Sequence, residues 1–378
     1  MFYLFLYQNK KISIKLMIQR IDITGYKSIK DQSIKLSPIN VLIGGNGIGK
    51  SNFISAFSLI NSLYEQRLQG YIIERGGADT FLYMGRKMTD RIKLDIYFGE
   101  RNQEAINRFI ASLKIAENRL YVESLSTAFN NGIWHEREYE RDVDESSFKH
   151  YNWGQAYFVN ELIQALKIYH FHDTGNQSPM KALCRVDDNH SLRRDGANIA
   201  AFLYYLQQKH PKHFYRIERT VCSVAPFFEG FNLMPNRLNE STIQLEWKQK
   251  GAEDVYFNAY QLSDGTLRFI CLATLLLQPE PPRSIIIDEP ELGLHPMAIN
   301  KLAALIKSVS LQSQVIITTQ SVTLVDNFAP EDIIVVDQSH YATTFRRMST
   351  EELTAWLEDY SLGEIWEKNI IGGQPWAK

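Results

Sequence analysis

Hydrophobic positions along this chain follow two periods, and the periods divide it into sheets and helices. Ile18 to Ile23 reads as the start of a first strand, and Lys93 to Phe98 alternates as another. Leu120 to Phe129 and Ile133 to Tyr139 read as two more strands, joined at Asn131-Gly132, a hairpin signal. Three shorter apolar runs, Ile39 to Ile43, Ser284 to Ile287 and Gln314 to Thr319, suit strands buried on both faces of a parallel sheet. A helical period appears at Phe53, Phe57, Ile60 and Leu63, and again at Leu267, Ile270, Leu272, Leu275 and Leu276 up to Pro279. Gln155 to Leu166, Ala197 to Gln208 and His213 to Val221 read as further helices, whereas 141–153 is expected to be a surface loop. No sustained heptad run or internal repeat is present.

Between the strand ending at Ile43 and the helix through Phe53 stands Gly44-Gly45-Asn46-Gly47-Ile48-Gly49-Lys50-Ser51. This is a complete G-x-x-x-x-G-K-S loop in the strand–loop–helix setting that gives the motif its meaning. Its glycines let successive N–H groups turn toward phosphate oxygens, and the helix start adds a favourable dipole. Lys50 is expected to reach the β- and γ-phosphates of ATP, Ser51 to ligate Mg²⁺, and Asn52 to extend the contact surface.

The run at Ser284 to Ile287 ends in Asp288-Glu289. Carboxylates at the C-terminal end of a parallel strand lie where an open α/β sheet keeps its ligand. Asp288 is the candidate holder of Mg²⁺, and Glu289 the candidate base for the attacking water. Leu262-Ser263-Asp264-Gly265-Thr266 opens the later helix, with Ser263 a natural N-cap and Gly265 permitting close backbone approach.

With these segments in this order, the chain resembles the ATP-binding-cassette ATPases. The resemblance implies that Ser263, Asp264 and Gly265 form a signature contacting the γ-phosphate of ATP held by a second subunit, in a head-to-tail dimer. It also implies that Glu291-Leu292-Gly293-Leu294-His295-Pro296 crosses the dimer interface, with His295 near nucleotide. Gln320 falls at the position of the γ-phosphate switch, usually histidine; it can donate and accept hydrogen bonds but carries no proton at neutral pH. Asp264, where many relatives have a second glycine, must point away or be neutralised locally. Gly25-Tyr26-Lys27-Ser28-Ile29 is similar to the N-terminal turn of the compact RecF, structural-maintenance-of-chromosomes (SMC) and overcoming-lysogenization-defect ATPases. Tyr169 to Thr174, Leu192 to Asn198 and Ser361 to Trp366 resemble an uncharacterised branch of predicted ATPases.

Composition narrows the picture less. The hydrophobic share of 44%, charged share of 22% and net charge of −2 are those of a globular protein with no global pull toward nucleic acid. Cys184, Cys222 and Cys271 are far apart and lack metal-ligand spacing, which fits a reduced cytoplasmic protein. No run approaches the ~18 apolar residues of a membrane span. His170, His172 and Asp173 form a weak metal set, and Arg75, Arg193 and Arg194 are weaker candidates for DNA or partner contact.

The fold expected is α/β: a P-loop NTPase head of ABC type, with a flanking antiparallel β lobe and an inserted helical lobe. Its parts are an extension over 1–16, a first ATPase lobe over 17–140, an inserted lobe over 141–240 and a second ATPase lobe over 241–378. The function expected is ATP hydrolysis with dimerisation or higher homo-oligomerisation around Mg-ATP, in anti-phage defence or DNA metabolism. It would control a separate nuclease or toxin effector, since about forty residues after Asp337 cannot house a further nuclease domain of roughly 100. DNA is a candidate partner. The alternatives are an ATP-gated binding platform with slow turnover and a RecF-like repair ATPase.

Overall fold

The computed structural model describes residues 16–101, 103–252 and 255–374, so the expected extension lies outside the described residues apart from Leu16. Two six-stranded sheets dominate. The first is antiparallel, in the order β2-β1-β4-β5-β6-β7, from β1 (Met17–Tyr26), β2 (Ile29–Lys35), β4 (Arg91–Gly99), β5 (Asn107–Ala116), β6 (Arg119–Asn130) and β7 (Trp134–Val143). The second has the order β17-β16-β3-β15-β14-β8. Its strands β3 (Ile39–Ile43), β8 (Leu166–Tyr169), β14 (Ser284–Asp288), β15 (Gln314–Thr319) and β16 (Ile333–Ser339) run parallel, and β17 (Ala342–Arg347) closes one edge antiparallel.

Period-two alternation sends the side chains of this second sheet into two separate cores. Val41, Ile43, Ile285, Ile287, Val315 and Ile317 face one cluster, while Leu42, Ile286 and Ile316 face the other. The second cluster holds α1 (Lys50–Tyr64), α2 (Leu68–Glu74) and α3 (Gly154–Gln164) together with the inner face of the antiparallel sheet. The first holds α4 (Ile199–Lys209), α5 (Pro211–Val224), α6 (Asp264–Leu277) and α7 (Pro296–Val309). Helix α1 is buried on nearly all sides because it lies between both sheets, and Phe53 and Phe57 meet edge to face within it. Each such fully buried large side chain is worth about 1.5–3 kcal/mol. Small antiparallel ladders of β9 (Cys184–Arg185) with β11 (Thr242–Ile243), and of β10 (Phe228–Phe231), β12 (Glu246–Gln249) and β13 (Tyr256–Asn258), finish the helical side.

One buried side chain ties the two sheets together. The Gln314 side chain accepts from the Ile18 amide at 3.0 Å and donates to the carbonyls of Ile18 at 2.7 Å and Ser37 at 3.0 Å.

Two expectations change. The segment 141–153 is not a plain surface loop: β7 continues to Val143, and fully buried Phe148 packs with Tyr139 and Tyr151. Aromatic residues at irregular spacing carry no period, yet they close the end of the antiparallel sheet. Residues 141–240 also do not stand apart as a lobe, because β8 pairs with β14 inside the main sheet and α4 and α5 share a core with α6 and α7. The four residues of β8 are too short to announce a strand beside the helical pattern of α3. Among the described residues, no helix is long and apolar enough to cross a membrane.

Candidate nucleotide site

The Gly44–Gly49 loop connects β3 to α1, and its backbone is one that glycine favours. Gly49, the residue before α1, has φ 115°, and a Cβ there would stand 2.2 Å from Thr343 Oγ1. No side chain caps α1, so the first-turn N–H groups that lack intrahelical partners remain open to an anion. The loop is braced from outside: Ser28 Oγ accepts from Asn52 Nδ2 at 2.7 Å, and the Thr343 hydroxyl lies 2.8 Å from the Ile48 carbonyl oxygen. Asn46, Gly47 and Ser51 are exposed at its mouth, whereas Ile48 is buried.

Lys50 is 5% exposed and donates to the carbonyls of Gly44 at 2.6 Å and Gly45 at 2.9 Å. Burial draws its pKa below the usual lysine range, and Glu289, Asp288 and Glu291 oppose that shift. These acids are neighbours because β15 lies between β3 and β14, with Thr318 opposite Leu42 on one side and Asp288 on the other. Loop and acidic strand end therefore meet within one chain.

Asp288 accepts from the Thr318 hydroxyl. Glu289 follows with φ 39°, a left-handed conformation rare for glutamate and common where backbone strain serves a site. Its carboxylate accepts from Gln320 Nε2, and its amide donates to the Thr318 carbonyl at 3.1 Å. Glu291 is buried, accepting from the Thr319 hydroxyl at 2.5 Å and the Gln320 amide at 3.2 Å, and burial raises its pKa. Ser51 and Asp288 offer a hydroxyl and a carboxylate, the hard oxygen donors that suit Mg²⁺ with phosphate and water completing its shell. Among the described residues, no group of three or more His, Cys, Asp or Glu side chains could hold a metal, and His170, His172 and Asp173 fall under that statement.

The candidate signature lies elsewhere. Ser263 caps α6, its Oγ accepting from the Thr266 amide at 3.2 Å. A Cβ on Gly265 would stand 2.3 Å from the Gly293 carbonyl oxygen, so the helix start is pressed against the 291–295 loop. Asp264 turns its carboxylate to Lys181 at 3.8 Å, a local neutralisation. Among the described residues, no hydrogen bond or ion pair joins 262–266 to 44–51. His295 caps α7, its Nδ1 accepting from the Met297 amide at 3.3 Å, and has no polar contact with the loop.

Several participants carry no motif. Thr318 and Glu291 are visible only through strand register and burial. The C-terminal tail is another: the Gly45 amide donates to the Gly373 carbonyl at 2.6 Å, and a Cβ on Gly373 would lie 3.5 Å from Gly44 Cα. Arg75 borders a cleft of about 470 Å³ beside Lys27, Ser28 and Asn52, on the α1 side of the loop.

Residues 39–326 match the family described as "AAA domain, putative AbiEii toxin, Type IV TA system". A 97-residue stretch is 31% identical to the DNA replication and repair protein RecF of Renibacterium salmoninarum, covering 24% of each chain. The chain thus matches about a quarter of the length of that curated relative. Among solved structures, the Smc head bound to the C-winged helix domain of ScpA aligns with TM-score 0.58 at 15% identity, over 89% of this chain and 99% of the other. The Smc head with an extended coiled coil from Pyrococcus furiosus, bound to the C-terminal domain of ScpA, gives 0.56 at 14% identity, over 91% and 99%. These likenesses establish the head-domain fold. The chain belongs to the AAA-domain family named above, and it has the P-loop fold of the Smc heads.

Proposed function

We propose that this protein binds ATP in the Gly44–Ser51 loop, hydrolyses it, and closes head to tail with a second copy around two ATP molecules. The observation that carries the reading is Lys50 lying in the field of Glu289, Asp288 and Glu291 while Gln320 holds Glu289. Lys50 would leave its two loop carbonyls for the β- and γ-phosphates, and the uncapped start of α1 would bind their oxygens. Glu289 would orient the attacking water and accept its proton. Mg²⁺, held through Ser51 and Asp288, would supply charge neutralisation on the phosphates. The exposed start of α6 becomes useful when a second copy presents it to the γ-phosphate, and Asp264 is no obstacle while Lys181 holds it.

In the cell this switch would control a separate effector, such as a nuclease or toxin, in anti-phage defence or DNA metabolism. The family's toxin–antitoxin description and the RecF similarity support those two settings. A second reading, an ATP-gated platform with slow turnover, is favoured by Gln320, which cannot relay a proton. Light scattering with and without ATP tests the dimer: wild type should double in mass and Ser263→Arg should not, while both bind ATP. Equal masses with and without ATP in both proteins contradict head-to-tail closure. Turnover measured with and without DNA separates the driven ATPase from the slow platform.

A further inference from the structure

Along the free edge of β8, away from the nucleotide loop, lies a cavity of about 570 Å³ between that strand, α4 and the 279–283 turn. Its volume is that of a small-ligand pocket. Lys167 and Arg194 line it, both half-buried, and no carboxylate comes within ion-pair distance of either among the described residues. Glu65 is the acid whose field reaches them, and it already lies 3.9 Å from Lys149. The neighbouring Arg193 differs, being paired with Asp188 at 2.7 Å. Arg283 adds a further, exposed cation at the rim, where Glu280 is the one acidic lining residue among the described residues and is exposed.

Burial pulls the pKa of both cations below their usual ranges, and Arg194 adds to the shift at Lys167. Charge partly withdrawn from water without a partner costs stability, so two such half-buried groups in one cavity need a reason. A dianion would neutralise both, with guanidinium and ammonium donors directed at its oxygens. Part of the remaining wall is apolar: Phe202 is buried beneath it, and Tyr205 and Pro282 are half-buried. Tyr205 is also fixed by His210, with its hydroxyl 3.2 Å from Nε2.

We propose that this cavity binds a small phosphate-bearing ligand, its phosphate between Lys167 and Arg194 and its body against Phe202, Tyr205 and Pro282. A cleft of this volume, bounded by a strand edge, a helix and a turn, favours a free phosphate monoester over a duplex backbone. The same phosphate chemistry occurs at the 5′ end of a nucleic-acid strand. The Arg194 carbonyl accepts from the His170 amide at 2.8 Å, so occupancy would also fix the strand end beside Asp288.

The test uses the full chain carrying Lys50→Ala, or wild type saturated with a non-hydrolysable ATP analogue, so that the nucleotide loop does not report. Adenosine monophosphate, adenosine, and a tetranucleotide with or without a 5′-phosphate are titrated by calorimetry. The phosphorylated probes should bind and their hydroxyl counterparts should not. If the monophosphate binds more tightly the source is a free ligand, and if the tetranucleotide does it is a strand end. Lys167→Met with Arg194→Met should weaken binding by about tenfold or more, and Lys167→Arg with Arg194→Lys should retain it. Because the methionine pair removes uncompensated charge, its Tm without ligand should hold or rise. Absence of binding up to about 10 mM, equal affinity in the methionine pair, or a falling Tm would each overturn the proposal.

Discussion

Gln320 donates from its side-chain amide to the Glu289 carboxylate, joining the ends of β15 and β14. The bond orients the carboxylate oxygen without offering it a proton. On the proposed mechanism, Gln320→Ala leaves Glu289 free to rotate, and kcat should fall by about tenfold or more with little change in KM for ATP. Steady-state kinetics would show this, and an unchanged kcat would mean the contact has no part in turnover.

Gly373 holds the nucleotide loop from the C-terminal side. Its φ of 80°, and a would-be Cβ 3.1 Å from Val335 Cγ1, make any side chain there both strained and crowded. Gly373→Val should displace the tail, free the Gly45 amide and weaken ATP binding by about tenfold, a cost in the range of backbone strain. Equilibrium titration with an ATP analogue reads the change, and an unmoved Tm shows the fold intact.

Glu291 gives a pH signature. Its pKa is raised by burial, so its contribution to stability is present at low pH and is lost as pH rises through the folded-state value. Glu291→Gln keeps an acceptor for the Thr319 hydroxyl and cannot ionise. The variant should therefore melt higher than wild type at alkaline pH, with the difference shrinking toward pH 5. Parallel melting curves across that interval would contradict the assignment.

Gln314→Ala should loosen the two sheets. It strands the Ile18 amide and carbonyl in a buried setting, while the Ser37 carbonyl keeps its bond from Asn40 Nδ2, and the loss costs about 2–3 kcal/mol. Denaturant unfolding measures the loss, and a change within about 0.5 kcal/mol would show that water or relaxation replaces the bonds.

The sequence disclosed what depends on local pattern. Continuous apolar runs gave β3, β14 and β15, and the glycine loop between a run and a helical period placed Lys50. What depends on nonlocal register stayed hidden. Thr318 becomes a partner of Asp288 only because β15 pairs with β14, and Gly373 reaches Gly45 from the far end of the chain. β8 was concealed because four residues directly after a helix are too few to show a period of their own. Glu291 read only as the start of the loop expected to cross the dimer interface, and its burial against Thr319 is what distinguishes it from Glu289.

The central claim, that Lys50 binds ATP and Glu289 drives its hydrolysis, is tested most directly by measuring ATP binding and turnover on three proteins side by side. Wild type should bind and turn over ATP. Lys50→Ala should lose high-affinity binding. Glu289→Gln should bind ATP as wild type does while its turnover falls by about 10²-fold or more. Glu289→Gln turning over at the wild-type rate, or Lys50→Ala binding ATP undiminished, would contradict it.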